Sequence, residues 1–281
     1  METLRIALAV VNCPVGEFEA NLQKTLQWCS EARGQGADVV CFPELNLTGY
    51  AVGPEIRAAA RPLDAATLQS LQECARRESI AVLAGLAERD RRGRLYATHL
   101  LIAPGGEALC YRKLHIAPPE QPLFRAGDCV PLATVAATTV GVQLCYDGHF
   151  PELTTRMALD GVEVVFMPHA SPRGTPEEKL ASWMRHLPAR AFDNGIFLAA
   201  CNQVGDNGAG LSFPGAAVVL GPDGKTCDSY TRNEEAMLVV DLNFDQLRAV
   251  RAHRMRYFLP QRRSDLDRLP RCTRRKPAQT R

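Results

Sequence analysis

A cysteine at the end of an apolar segment is the first residue of this sequence whose position favours chemistry. Cys145 follows the run Val-Gly-Val-Gln-Leu, which predicts a strand, and Gly148 and Pro151 then favour a tight turn and a helix start. A strand, a sharp turn and a helix in this order form a nucleophile elbow, with the backbone N–H of Tyr146 near a forming oxyanion. A buried structural cysteine is the alternative, since cysteine is often buried.

Two charged residues also stand at the ends of predicted strands. Glu44 follows a strand at 39–42, and α/β sheets bind ligands at the carboxyl ends of their strands. Partial burial would raise the pKa of Glu44 towards that of a general base. Lys113 ends another strand in a chain with 28 arginines and five lysines, and its compact ammonium suits an oxyanion. A capping glutamate and a surface lysine are the alternatives.

Apolar runs alternate with amphipathic stretches along most of the chain, and this alternation predicts an α/β fold with helices outside a sheet. Residues 18–34 have the apolar spacing of a helix. Residues 183–194 and 244–256 are each predicted as one continuous helix. Turn sequences near residues 103 and 222 predict two hairpins, which add antiparallel strands to the sheet.

The composition of the 281-residue chain excludes several classes of protein. Hydrophobic residues make up 46%, enough for a large core, but the longest apolar runs fall far short of the roughly 18 residues that span a bilayer. The net charge of +2 conceals a local excess of positive charge, because positions 261–281 hold eight basic and two acidic residues. We therefore predict one domain over 1–260 and a basic, extended or partly disordered tail over 261–281, with no nucleic-acid or membrane partner.

The ten cysteines of the sequence include no Cys-x-x-Cys pair, and several stand inside apolar, strand-like runs. This pattern is typical of reduced, buried cysteines in a protein without a disulfide framework. No His-x-x-x-His pair is present either, so we predict no metal site. The N-terminal residues lack the features of an export signal, and we expect a cytoplasmic protein.

Six segments of the sequence resemble, in order and spacing, the signatures of the nitrilase, or carbon–nitrogen hydrolase, superfamily. They are Phe-Pro-Glu with Thr-Gly-Tyr at 42–50, Tyr-Arg-Lys-Leu-His at 111–115, Glu-Gln-Pro-Leu-Phe-Arg-Ala-Gly at 120–127, Leu-Cys-Tyr-Asp-Gly-His-Phe-Pro-Glu at 144–152, Trp-Met-Arg-His-Leu-Pro-Ala-Arg-Ala-Phe-Asp-Asn at 183–194 and Ala-Cys-Asn-Gln-Val-Gly at 200–205. On these segments the chain is identified as a member of the superfamily, in its amidase-like branch.

The resemblance implies a four-layer αββα sandwich that associates across its helices into αββα-αββα dimers. It also implies a catalytic set of Glu44, Lys113 and Cys145, with Glu120 as a second, supporting glutamate, and neither metal nor cofactor. Many members of the superfamily have an arginine where this chain has His149. The role of that arginine therefore does not carry over.

These residues predict a cysteine hydrolase that cleaves a non-peptide C–N bond of a small amide. The products would be an acid and ammonia or an amine, formed through a thioester intermediate. An N-carbamoyl amidohydrolase or a nitrilase would use the same three residues. The loops at 50–61, 115–124 and 169–178 are expected to select the substrate, and the candidate pocket residues are Tyr50, His149, His169 and Arg173.

Two alternatives come from other classes of protein. A Cys-His hydrolase would pair Cys145 with His149, His115 or His169. A non-catalytic binding protein would keep the fold and lose the activity. The presence of all three implied catalytic residues argues against the second alternative.

Overall fold

Fourteen β-strands and seven α-helices lie within residues 3–263 and 265, the part of the chain that the computed structural model describes. The strands are β1 (Thr3–Val10), β2 (Val39–Cys41), β3 (Ala81–Arg89), β4 (Leu95–Ile102), β5 (Ala108–Arg112), β6 (Ala133–Val135), β7 (Thr138–Val142), β8 (Val164–His169), β9 (Phe197–Asn202), β10 (Gly205–Asp206), β11 (Ser212–Phe213), β12 (Ala216–Leu220), β13 (Thr226–Thr231) and β14 (Ala236–Asn243). The helices are α1 (Phe18–Gly34), α2 (Pro54–Ala59), α3 (Ala65–Glu78), α4 (Pro151–Leu159), α5 (Pro176–Trp183), α6 (Leu187–Asn194) and α7 (Phe244–Ala252), and 3₁₀ turns cover Cys145–His149 and Leu259–Gln261.

Two six-stranded sheets carry the fold. The first has the strand order β14-β1-β2-β3-β4-β5, and the second has the order β13-β12-β9-β8-β7-β6. Each sheet has three parallel strands at its centre and antiparallel strands at its edges. The hairpins predicted near residues 103 and 222 are confirmed as β4–β5 and β12–β13.

The two sheets stack face to face over a shared apolar core. Strand β1 shows how the sequence achieves this, because its side chains alternate between two buried faces. Leu4, Ile6 and Leu8 belong to the core between the sheets, whereas Ala7 and Ala9 face the helices outside. Contact between the sheets is direct where the Cys201 thiol on β9 donates to the backbone carbonyl of Cys41 on β2, at 3.7 Å.

Helices cover the outer face of each sheet. Helices α1 and α3 place Phe18, Leu22 and Leu71 against the first sheet. On the second sheet, α4 packs against α6, and α6 contacts β9 and β12. The mixed α/β fold predicted from the alternation of apolar and amphipathic segments is confirmed.

Two helix predictions were wrong. Residues 183–194 form two helices, because α5 ends at Trp183 and α6 begins again at Leu187. Pro188 occupies the first turn of α6, where its missing N–H costs nothing, and a proline there disfavours continuing a helix from before it. The helix predicted over 244–256 ends at Ala252, since the last buried apolar residue at helical spacing is Val250.

The nine cysteines within the described residues are free thiols. None of the helices in that part of the chain is both long and apolar enough to cross a membrane. The predicted basic tail over 261–281 lies outside the described residues except for residues 261–263 and 265. The short strands β6, β10 and β11 carry too few residues for the sequence pattern to have indicated them.

Candidate active site

The three residues singled out from the sequence all lie just beyond the carboxyl ends of strands. Glu44 comes three residues after β2 ends, Lys113 directly follows β5, and Cys145 comes three residues after β7 ends. The first two belong to one sheet and the third to the other. The site is therefore assembled between the two sheets.

The ammonium of Lys113 lies between two carboxylates in the protein interior. Its Nζ is 2.8 Å from Oε1 of Glu44, and it is 3.1 and 2.9 Å from the two carboxylate oxygens of Glu120. The hydroxyl of Tyr50 donates to Oε1 of Glu120 at 2.9 Å. Lys113 and Glu44 are completely buried and Glu120 nearly so. The structure thus brings together four of the residues named from the sequence.

The backbone of the second sheet fixes Glu44 from its other side. The N–H of Ala170 donates to Oε2 of Glu44 at 3.2 Å, and the N–H of Glu44 donates to the carbonyl of His169 at 3.3 Å. The side-chain amide of Gln203 donates to the Glu44 carbonyl at 2.9 Å. Burial, with a further contribution from the charge on Glu120, raises the pKa of Glu44 to about 7 against the lowering effect of Lys113.

The same charges act on the cysteine. Burial raises the pKa of the Cys145 thiol above its usual value, Glu44 adds to this effect, and Lys113 opposes it. Burial disfavours the charged form of Lys113, but Glu44 and Glu120 together hold its pKa well above the usual value. Within residues 3–263 the Cys145 sulfur forms no hydrogen bond of its own, so its coupling to these charges acts through space. Glu44 has a pKa near 7 and its charge acts on the protonated Cys145 thiol, so this carboxylate is a group that can take the thiol proton.

Backbone strain presents Cys145 at a sharp turn. Its φ of +42° lies in the left-handed region, which costs a residue other than glycine about 1–3 kcal/mol. The chain then forms the 3₁₀ turn Cys145–His149 before α4 begins at Pro151. The strand, turn and helix expected around Cys145 are present. Tyr146 is the first residue after the cysteine in this turn.

A buried carboxylate that the sequence analysis missed holds this turn in place. Asp147 receives hydrogen bonds from the N–H of Leu144 at 3.0 Å and from the hydroxyl of Tyr111 at 2.7 Å. It also receives one from the N–H of His115 at 2.8 Å, and Nδ1 of His115 lies 2.9 Å from the same oxygen. Asp147 therefore joins the segment around Lys113 to the turn of Cys145. The sequence feature that could have indicated Asp147 is its position, two residues after the candidate nucleophile Cys145.

A second strained turn follows Glu44. Leu45 has a φ of +57°, and the next residue, Asn46, receives the N–H of Gly85 on its side-chain oxygen at 2.7 Å. A side chain at Gly85 would begin 2.9 Å from the backbone nitrogen of Leu45. Glycine is required there because the turn that aims Glu44 packs directly on β3.

The other candidate pocket residues are less closely involved. His169 is buried, its ring lies 4.5 Å from that of Trp183 between centroids, and burial lowers its pKa to about 3. His149 is exposed and stacks on His186 with 4.4 Å between ring centroids. Arg173 is also exposed. Across residues 3–263, no histidine is hydrogen-bonded to Cys145, so the geometry does not favour a Cys-His hydrolase.

One further cation near the cysteine escaped the sequence analysis. Lys179 on α5 is partly buried, and its charge lowers the pKa of Cys145. Its Nζ donates to Oγ of Ser171 at 2.7 Å and to the carbonyl of Pro172 at 3.4 Å. The scarcity of lysine in this chain was the available signal, but it drew attention to Lys113 alone.

Comparison with known proteins identifies the family to which the chain belongs. Residues 5–252 match the carbon-nitrogen hydrolase family. The chain belongs to this family. The superfamily resemblance of the six segments is thereby confirmed, and the chain is a carbon–nitrogen hydrolase of the amidase and nitrilase type.

Individual carbon–nitrogen hydrolases resemble the chain over most of its length. An (R)-stereoselective amidase from Pseudomonas sp. is 35% identical over 238 residues, which cover 84% of this chain and 84% of the amidase. A nitrilase from Pyrococcus abyssi is 27% identical and covers 93% of this chain and 98% of its own. The crystal structure of an amidase from Nesterenkonia sp. superposes with a TM-score of 0.80 at 29% identity, covering 94% of this chain and 95% of the amidase.

The hydrogen bonds of Asp147 lead to a stability prediction. Replacing Asp147 with alanine leaves the buried N–H of Leu144 and the hydroxyl of Tyr111 without their partner, and each such group costs about 1–3 kcal/mol. We expect Asp147→Ala to lower the free energy of unfolding by roughly 2–5 kcal/mol, measured by urea denaturation. Asp228→Ala, an exposed aspartate on β13, is the control and should change it by about 0.5 kcal/mol or less. Equal effects of the two substitutions would contradict the role of Asp147.

Proposed function

We propose that the protein is an amidase that hydrolyses a small, non-peptide amide to an acid and ammonia or an amine. The observation that carries this proposal is the buried ammonium of Lys113 between Glu44 and Glu120, with the charges of all three acting on Cys145. A cysteine nucleophile, a carboxylate base and a fixed cation are the groups that thioester chemistry on an amide requires.

The first half of the reaction acylates Cys145. Glu44 takes the thiol proton as Sγ attacks the amide carbonyl carbon, and the carbonyl π electrons move to oxygen. The ammonium of Lys113 and the N–H of Tyr146 stabilise this oxyanion. When the intermediate collapses, the C–N bond breaks and the departing nitrogen takes the proton from Glu44. The products of this half are ammonia or an amine and a thioester on Cys145.

The second half releases the acid. Glu44, again a carboxylate, takes a proton from a water molecule as that water attacks the thioester carbonyl. Collapse of the second intermediate breaks the C–S bond, and the Cys145 thiolate recovers its proton from Glu44. Glu120 orients Lys113 throughout, because both of its oxygens lie within 3.1 Å of Nζ.

The relatives support an amide as the substrate. One structure of a variant of the Nesterenkonia amidase, 28% identical to this chain with a TM-score of 0.80, carries the acetamide moiety of fluoroacetamide added covalently at its active-site cysteine. A structure of a second variant of that amidase is a complex with butyramide. N-carbamoyl compounds and nitriles can react at the same three groups, so they belong in the test as competing substrates.

Ammonia release on three substrate panels tests the function. We expect release from small amides such as butyramide and less or none from matched nitriles and N-carbamoyl compounds. Cys145→Ala should abolish it, and Lys113→Ala should lower kcat by about 10²- to 10³-fold, the usual effect of removing one oxyanion donor. Cys129→Ala, at an exposed cysteine, is the matched control and should keep full activity. A response confined to the nitrile panel would contradict the amidase proposal.

The pKa of Glu44 sets the pH dependence of the reaction. Because the base is the carboxylate form, kcat/KM on a neutral amide should be lost as the pH falls through about 7 and should level off above it. The measurement is a profile of kcat/KM between about pH 5 and pH 9, with folding monitored at each pH. A flat profile across this range, or activity that rises as the pH falls, would exclude Glu44 as the base.

We also propose that two copies of the chain associate through the helices of the second sheet. Large apolar side chains are exposed on that side, including Leu159 on α4, Phe192 on α6 and the nearby Phe258. Light scattering should give twice the chain mass of 30.8 kDa. Phe192→Asp should reduce the measured mass to that of one chain. Leu109→Asp, on the first sheet, should leave the dimer intact. A single-chain mass for the unaltered protein would overturn this proposal.

The cytoplasm is our proposed location for the enzyme. Nine free thiols in the described residues, five of them buried, suit a reducing compartment.

A further inference from the structure

Lys179 differs from the other lysines in the described residues by having no carboxylate partner. Lys24 pairs with Glu235, Lys113 with Glu44 and Glu120, and Lys225 with Asp223. Lys179 donates only to two neutral oxygens, the hydroxyl of Ser171 and the carbonyl of Pro172. An ammonium has three donors, so one of them is left for a further acceptor.

The acidic residues nearest to Lys179 in sequence are turned away from it. Glu178 closes a capping box at the start of α5, where its side chain receives the N–H of Thr175 at 3.0 Å and its own N–H donates to the Thr175 hydroxyl at 3.2 Å. Glu177 is exposed. Within residues 3–263, no carboxylate lies within salt-bridge distance of Lys179. Its charge is therefore partly buried and uncompensated, which is unfavourable unless an anion arrives.

The position of Lys179 ties it to the site. Its partner Ser171 directly follows Ala170, whose N–H binds the Glu44 carboxylate. Ser171 is itself fixed, because its N–H donates to the Asn202 side chain at 2.8 Å and its carbonyl receives the Asn202 amide at 3.1 Å. One short, rigid segment thus holds both the candidate base and the ammonium.

The helix that carries Lys179 is also held against the site. Trp183, one helical turn further along α5, is buried against the ring of His169, at the carboxyl end of β8. Lys179 and Trp183 share a face of α5, since residues four apart are neighbours on a helix. The ammonium is therefore held beside the segment that binds Glu44, and the charge interaction between Lys179 and Cys145 agrees with this placement.

We propose that Lys179 is a specificity-determining residue that binds a carboxylate on the acyl part of the amide substrate. This inference rests on the proposed amidase function and names its substrate class, the monoamides of dicarboxylic acids. A carboxylate entering a site that already holds Glu44 and Glu120 is repelled by both, so it needs a cation of its own. Lys113 is already held between the two glutamates, and Lys179 has the free donor.

The test compares amides that differ only in charge. The charged series is malonamate, succinamate and glutaramate, and 4-methylpentanamide is the neutral counterpart of succinamate, with an isopropyl group in place of the carboxylate. We expect the wild-type enzyme to show a higher kcat/KM for at least one charged amide than for its neutral counterpart. Lys179→Met should lower this preference ratio by about tenfold to a hundredfold, the effect of losing one charge-assisted hydrogen bond.

Three further variants separate recognition from other roles. Lys179→Arg should retain part of the preference, because the charge is kept, and Lys179→Gln should lose it while keeping a polar side chain of similar length. Lys225→Met, at an exposed lysine on the β12–β13 turn, is the matched control and should leave the ratio unchanged. The Cys145→Ala protein measures binding without turnover, and there Lys179→Met should weaken the binding of the preferred charged amide by a similar factor.

Several results would overturn the inference. If the wild-type enzyme favours no charged amide, or if Lys179→Met lowers kcat/KM equally for charged and neutral amides, Lys179 does not select the substrate. Hydrolysis of neutral amides in either case leaves the proposed function standing. If the folded wild-type enzyme releases ammonia from no amide in either series, the amidase function itself fails and the inference fails with it.

Discussion

A single buried ammonium between two buried carboxylates is the constraint around which this structure is arranged. Moving any one of these charges out of water costs several kcal/mol, and the cost is offset only when the partners lie within hydrogen-bonding distance. Lys113 meets that condition with contacts of 2.8 Å to Glu44 and 2.9 Å to Glu120. When both carboxylates are ionised, Lys113, Glu44 and Glu120 together carry a net negative charge of one unit. That excess, together with burial, places the pKa of Glu44 near neutrality, where it can serve as acid and base in turn.

The rest of the fold supplies the rigidity that this charge group needs. Two of the non-glycine residues with positive φ are Leu45, beside the candidate base Glu44, and the candidate nucleophile Cys145, so backbone strain is present at both. Each strained turn is held by buried hydrogen bonds, the first through Asn46 to β3 and the second through Asp147 to Tyr111 and His115. A pair of stacked sheets with helices outside provides the buried surroundings in which such bonds persist.

Much of this could be predicted from the sequence, because the signals were local. Glu44, Lys113 and Cys145 each follow an apolar run that predicts a strand. These residues lie up to 101 positions apart, and the resemblance of the segments around them to one family predicted that they share a site. What could not be predicted depends on contacts between distant segments. In the sequence Asp147 is an ordinary polar residue, and its role depends on the hydrogen bonds that Tyr111 and His115 donate to it in the folded chain. The break between α5 and α6 was signalled by Pro188, but helical spacing on both sides concealed it.

The central claim is that Glu44 takes the Cys145 proton as the sulfur attacks an amide-like electrophile, which makes Cys145 the reactive thiol although burial raises its resting pKa. Competitive alkylation with an electrophile that is itself an amide tests this claim most directly. Cys129 and Cys227 are exposed, whereas Cys145 is only partly accessible, so accessibility alone would favour labelling the first two. Brief treatment with substoichiometric iodoacetamide, followed by peptide mass mapping, should label Cys145 first and abolish activity in proportion, and butyramide should protect it. Labelling of Cys129 and Cys227 ahead of Cys145, with activity retained, would contradict the account.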